Sequence, residues 1–141
     1  MRYLFVIAAF LTAAVILGAA AENATVTYVS HDQVSKAATI VAKPEYSVQN
    51  NRRTSAGQVE VHTKATDIFH VIEGEATLVT GGTVVGGKTT EPNQIRGTSI
   101  QGGETRHLTK GDVIVIPAGV PHWFKEVPQS IEYLTVKSIK P

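Results

Sequence analysis

The sequence GDVIVIPAGVPH, residues 111–122, places two turns, a strand and a histidine within twelve residues. Its Gly-Asp pair is typical of a tight turn, and the β-branched run 113–116 is typical of a strand. Two prolines and a glycine then restrict the backbone ahead of His122: Pro117, Gly119 and Pro121. Taken alone, the stretch favours a structural role, because strands followed by Pro/Gly turns are common in β proteins. With suitable partners, the same restriction would fix His122 in a functional site.

The chain of 141 residues begins with a segment typical of a secretory signal peptide. Arg2 precedes an apolar run over residues 4–17, which is followed by an alanine-rich exit. We therefore expect residues 1–21 to be removed and residues 22–141 to form a single domain that is secreted or periplasmic. The alternative is an uncleaved anchor, for which the run is short. After cleavage we expect no membrane span.

Composition limits the class of partner. Without Arg2, twelve basic residues balance twelve acidic ones, and the adjacent basic pair is Arg52 and Arg53. This balance disfavours nucleic acid and anionic membrane surfaces, and it favours a small neutral or weakly charged ligand. One arginine of the pair could reach a ligand carboxylate. Because the chain has no cysteine, the domain depends on its core alone or with a metal.

The first part of the expected domain contains a short predicted helix and a strand. Residues 30–33, SHDQ, have the pattern of a capping box, which predicts one or two helical turns through Ala38. Residues 46–48 indicate a strand. The polar run 50–53 indicates a turn or a strand edge.

From Gly57 the sequence alternates with the period of a strand. Val59 and Val61 share one face, and Glu60 and His62 share the other. The acidic residue and the histidine are therefore expected side by side.

Asp67 begins a second predicted strand, which turns at Gly74. The alternation places Phe69 and Val71 on the face of Asp67 and sends His70 to the opposite face. We therefore expect His70 to lie outside any site that includes Asp67.

The glycine-rich segment 81–103 predicts a long hairpin or excursion with short strands at 83–85 and 95–100. His107 follows on another short strand, and no pattern places it with the other histidines. The tail 131–137 alternates again and is predicted to close a sheet.

The two histidine windows resemble the two motifs of the cupin superfamily. The second motif is G-x5-P-x-G-x2-H-x3-N, and Glu126 stands at the position of its asparagine. Its other positions are matched by Gly111, Pro117, Gly119 and His122.

The first cupin motif, G-x5-H-x-H-x(3,4)-E-x6-G, is matched in spacing by Glu60, His62, Asp67 and Gly74. Glu60 replaces the first histidine, and Asp67 replaces the glutamate. With their strands, the two motifs cover residues 57–126.

The resemblance implies an all-β fold, a double-stranded β-helix or jelly-roll barrel, here with a short N-terminal helix. It implies that His62, Asp67 and His122 bind a divalent metal in the barrel mouth as a two-histidine, one-carboxylate set. Glu60 would be a fourth ligand or a general base beside the metal. Such an oxygen-rich set favours Fe, Mn or Zn.

Two functional interpretations stay open. In the first, the protein binds the metal and acts on or binds a small organic molecule, as a dioxygenase, isomerase or lyase. In the second, a metal-free cupin binds a sugar or small acid, or has a structural role, and its four ionisable groups bond to one another. Burying those groups without a cation is costly, which favours the metal. The resemblance also implies pairing into a homodimer, which apolar strand edges would support.

Overall fold

The computed structural model describes residues 25–141, where almost all regular structure is β-strand. The predicted signal peptide, residues 1–21, lies outside this range. Within it, no helix is long and apolar enough to cross a membrane. A single helical turn, α1 (His31–Val34), precedes the strands β1 (Thr39–Ala42), β2 (Tyr46–Arg53), β3 (Val59–His62), β4 (Ala65–Gly74), β5 (Ala76–Thr80), β6 (Thr83–Val85), β7 (Lys88–Glu91), β8 (Gln94–Gly97), β9 (Ser99–Gln101), β10 (Glu104–Leu108), β11 (Val113–Ile116), β12 (His122–Glu126) and β13 (Ile131–Ile139).

These strands form two main antiparallel sheets. The first has the order β1-β2-β13-β4-β11, and the second has the order β10-β5-β12-β3-β8-β7. Strands β6 and β9 form a separate antiparallel pair. The arrangement confirms the predicted all-β jelly-roll fold, and the short predicted helix is present as α1.

The hydrophobic core lies between the two sheets. The first sheet contributes Phe69, Val71 and Tyr133, and the second contributes Leu78 and Phe124. The rings of Phe69 and Phe124 stack across the core with centroids 5.8 Å apart. Because successive side chains point to opposite faces, a slip of one residue would turn these groups outward, so the core fixes the strand register.

The alternation of β3 and β4 confirms the predicted strand faces. Val59 and Val61 are buried, and Asp67 and Phe69 share the buried face of β4. His70 is exposed on the other face.

Three boundaries differ from the sequence predictions. The helix ends at Val34 instead of Ala38, because the Ala38 carbonyl accepts a hydrogen bond from the Asn50 backbone N–H and joins the extended chain. The polar run 50–53 is not a turn or an edge; it belongs to β2, which lies between β1 and β13. Its polar side chains are accommodated because alternate ones face a polar cavity. The run 95–100 is divided between β8 and β9.

Strand β11 lies at the edge of the first sheet. Its Val113 and Val115 side chains are exposed, at 63% and 56%. This is the type of apolar edge expected for a dimer contact, and the homodimer stays a prediction.

Alanine substitutions at Gly74 and Gly111 separate the effect of backbone strain from the effect of steric overlap on stability. Both have positive φ, 78° and 91°. A Cβ at Gly74 would overlap the Ser130 carbonyl oxygen, whereas a Cβ at Gly111 meets nothing within 4 Å. We predict that G111A lowers the free energy of unfolding by about 1 kcal/mol through strain alone. We predict that G74A lowers it by about 3 kcal/mol or more.

Urea denaturation of the two variants and the wild type measures both losses. Equal losses would contradict the steric role of the Gly74 turn.

Candidate metal centre

The four predicted ligands meet in one cavity between the sheets. Glu60 and His62 come from β3, Asp67 comes from β4, and His122 is the first residue of β12. The cavity has a volume of about 230 Å³ and is lined by all four. Strand pairing brings them together, since His122 and Glu60 are direct register partners on β12 and β3.

The Pro/Gly turn before His122 fixes the direction of its imidazole. The Gly119 backbone N–H donates to the His62 carbonyl oxygen at 2.9 Å, which joins the turn to β3. The Nδ1 atom of His122 lies 3.3 Å from the Val120 carbonyl oxygen. When Nδ1–H donates to this carbonyl, Nε2 is the free nitrogen and faces the cavity.

The two histidines and two carboxylates converge through one atom each. His62 Nε2 lies 3.2 Å from Asp67 Oδ2 and 3.4 Å from Glu60 Oε2. His122 Nε2 lies 3.6 Å and 3.8 Å from the same two oxygens. Ligand atoms of Glu60, His62 and His122 all lie within 4.8 Å of one another, whereas Asp67 is not part of this group.

Three of these converging atoms lack hydrogen bonds. Among residues 25–141, His62 Nε2, His122 Nε2 and Asp67 Oδ2 are buried and form no hydrogen bond. Buried polar atoms of this kind are costly unless something satisfies them. A shared cation would satisfy all three, because Asp67 Oδ2 lies 3.2 Å from His62 Nε2 and 3.6 Å from His122 Nε2.

The other oxygen of each carboxylate is paired with a basic side chain. Lys137 Nζ donates to Asp67 Oδ1 at 2.7 Å, and these residues are register partners on β13 and β4. Arg96 Nη1 donates to Glu60 Oε1, and these residues are register partners on β8 and β3. Each carboxylate is therefore anchored on one side and directed at the histidines on the other.

These contacts keep both carboxylates ionised. Burial raises the pKa of Glu60, but the two histidines and the Arg96 guanidinium lower it by more, so it lies well below its usual range. Burial also raises the pKa of Asp67, but His62 and Lys137 outweigh burial and lower it. The site consequently offers two anionic oxygen donors at neutral pH.

The same carboxylates hold a proton on His62 when no cation is bound. Burial lowers the pKa of His62, but the neighbouring carboxylates of Asp67 and Glu60 outweigh burial and raise it to about 9. A cation must therefore displace this proton to use Nε2 as a ligand.

The donor set fits a divalent metal ion. It combines two imidazole nitrogens with two carboxylates, and these are ligands that Fe, Mn and Zn accept. Such an ion would satisfy the three unpartnered atoms, His62 Nε2, His122 Nε2 and Asp67 Oδ2.

Two of the basic residues of the cavity, Arg96 and Lys137, were not predicted from the sequence. Arg96 lies in the glycine-rich segment, where no clear period assigns it to a face. Lys137 could have been found, because counting by twos from Tyr133 places it on the interior face of β13. Arg53, considered earlier as a ligand contact, does line the cavity. His107 lies apart, with Nε2 3.0 Å from Glu75 Oε2 on the surface.

The sequence matches the family profile described as Cupin over residues 22–141. The match spans most of the chain, and the protein therefore belongs to the cupin family. A comparison with curated proteins found no match.

Solved structures are similar in fold at low sequence identity. BH2720 from Bacillus halodurans has a TM-score of 0.57 and 13% identity, covering 81% of this chain and 82% of its own. KdgF from Halomonas sp. has a TM-score of 0.52 and 16% identity, covering 73% and 78%. The Cnp3 cupin domain of Schizosaccharomyces pombe has a TM-score of 0.53 and 11% identity, covering 74% and 60%. The chain spans 51% and 39% of two longer solved proteins that it also matches.

The raised pKa of His62 predicts how stability depends on pH in the metal-free protein. The folded-state pKa of about 9 exceeds the usual value of 6.5, so protonation of His62 stabilises the fold. This contribution is fully present below pH 6.5 and is lost as pH rises through about 9. We predict that the free energy of unfolding falls over this window and that H62Q removes this part of the fall.

Urea denaturation in the presence of a chelator, at several pH values, measures the effect. H70Q, which removes an exposed histidine, is the matched control and should keep the wild-type pH dependence. The same pH dependence in H62Q and wild type would contradict the assignment.

Proposed function

We propose that the protein is a metal-dependent cupin of the periplasm or the extracellular space that acts on or binds a small organic molecule. The cation is held by His62, His122, Asp67 and Glu60. Iron, manganese and zinc are the metals that suit this donor set. The location is supported by the apolar run and alanine-rich exit of residues 1–21.

One observation carries this proposal: three buried ligand atoms from three strands lie close together without a hydrogen-bond partner, since Asp67 Oδ2 is 3.2 Å from His62 Nε2 and 3.6 Å from His122 Nε2. In the metal-free protein, a proton on His62 would bridge the 3.2 Å contact between His62 Nε2 and Asp67 Oδ2. Binding a cation would satisfy all three atoms at once. It would also offset the cost of burying two carboxylates.

Glu60 enters the proposal as a ligand. Its Oε1 atom is held by Arg96, so Oε2 is the atom available to a cation. The lowered pKa makes Glu60 a weak proton acceptor near neutral pH, which disfavours the general-base role.

A bound divalent ion would supply a Lewis acid that polarises an oxygen of the small molecule. That molecule would lie in the cavity, which Phe69 and Phe124 line together with the candidate ligands. Dioxygenase, isomerase and lyase activities stay predictions for this site.

A second candidate is a metal-free cupin that binds a small ligand or has a structural role. It is favoured by the ion pairs that neutralise each carboxylate from within the chain, Lys137 with Asp67 and Arg96 with Glu60. In this form protonated His62 would lie between the two carboxylates.

Metal titration separates the two candidates. We predict that the purified protein binds about one equivalent of Zn(II) or Mn(II), with a rise in Tm. H122Q should weaken metal binding by about a hundredfold or more. Loss of a residue that only hydrogen-bonds to a ligand already costs about 10- to 100-fold in affinity, and loss of a ligand itself costs more. Isothermal titration calorimetry and elemental analysis measure affinity and stoichiometry.

H70Q is again the control, since it removes a histidine that is exposed and outside the cavity. Its affinity should equal that of the wild type. Loss of binding in H70Q but not in H122Q, or no binding by the wild type, would support the metal-free candidate instead.

A further inference from the structure

The cavity of the candidate metal centre contains more basic side chains than its carboxylates require. Arg53, Arg96 and Lys137 line it, against Glu60 and Asp67. Three basic side chains against two carboxylates leave one positive charge in excess before the histidines are counted, and a divalent ion would increase that excess. A cavity with an excess of positive charge attracts anions.

Arg53 is held in place chiefly by neutral groups. Its Nε donates to the Tyr133 hydroxyl at 2.9 Å, and its guanidinium carbon lies 4.9 Å from the centroid of the Phe124 ring. Its contact with Glu60 is long, since Nη2 lies 3.4 Å from Oε1. A Cβ at Gly57 would lie 2.7 Å from Arg53 Nη1, so the glycine leaves space for the guanidinium.

Arg53 and Arg96 lie together because both contact the same atom, Glu60 Oε1. Within residues 25–141, Nη1 of Arg53 and Nη2 of Arg96 form no hydrogen bond. Both side chains are partly accessible, at 28% and 36%. Unused guanidinium donors on neighbouring arginines match the oxygens of a carboxylate.

The Oε1 side of Glu60 is distinct from the side that faces the histidines. Oε2 is directed at His62 and His122, whereas Oε1 is directed at the two arginines. An anion held by the arginines would therefore lie beside the cation position. The volume of about 230 Å³ limits the ligand to a small molecule.

We propose that Arg53 and Arg96 form an anion subsite beside the metal centre and that the ligand of this cavity is a small organic acid. Its carboxylate accepts hydrogen bonds from both guanidinium groups. The rest of the acid lies toward the histidines. This inference rests on the proposed function, because it concerns the ligand of the same cavity.

Acetate tests the subsite without assuming the rest of the ligand, and acetamide is its uncharged counterpart. The mature protein is titrated with each in the presence of a chelator and followed by NMR, using the Nε–Hε signals of its arginines. We expect acetate to shift the Arg53 signal with a saturable curve and acetamide to leave it unchanged. Equal effects of the two probes, or none from acetate, would overturn the proposal.

Substitutions assign the effect to the cavity. R53Q and R96Q should each weaken acetate binding about tenfold, as expected for a lost charged hydrogen bond. R52Q is the matched control, because Arg52 is adjacent in sequence but pairs with Glu132 on the exposed surface. R52Q should bind acetate as the wild type does. For R53Q and R96Q the acetate effect is read on the His62 and His122 ring signals, and circular dichroism checks folding.

The result is separable from the metal proposal. Acetate binding that depends on Arg53 and Arg96 in a protein that takes up no Zn(II) would support the subsite and reject the metal. If the protein binds Zn(II) but does not distinguish acetate from acetamide, the metal proposal is supported and the subsite is rejected. Equal weakening in R53Q, R96Q and R52Q would show a general charge effect and overturn the subsite.

Discussion

The burial of two carboxylates beside two imidazoles is the constraint on which the rest of the site depends. Asp67 is 1% exposed and His122 is 3% exposed, so neither can be satisfied by bulk water. Strand register places a basic side chain beside each carboxylate: Lys137 is opposite Asp67, and Arg96 is opposite Glu60. These pairs account for one oxygen of each carboxylate and leave the other directed at the histidines.

The hydrophobic core and the site use the same strands. On β4, Asp67 and Phe69 share one face, so the site begins where the aromatic core ends. The rings of Phe69 and His122 lie edge to face, with centroids 6.0 Å apart. Register that buries Phe69 therefore also positions Asp67, which links stability to the geometry of the candidate metal centre.

Much of this arrangement was predictable from local sequence. Apolar and polar residues alternate around Val61 and Phe69, and this alternation identified the strand faces of Glu60, His62 and Asp67. The positions of Pro and Gly marked the turn before His122. Arg96 was not predictable, because the short strands of a glycine-rich segment give no lasting period and pair over long distances in sequence. The pair Arg52 and Arg53 was identified as a possible ligand contact, but its place in an interior strand was not predicted, because a polar run resembles a turn unless a polar cavity is known to face it.

The central claim is that one cation joins the two histidines to the buried carboxylates. Anomalous diffraction from crystals of the manganese- or zinc-loaded protein tests it most directly. We predict one anomalous peak within coordination distance of His62 Nε2, His122 Nε2 and oxygens of Glu60 and Asp67. A cavity that contains only water, or a peak confined to surface residues such as His70 or His107, would contradict it.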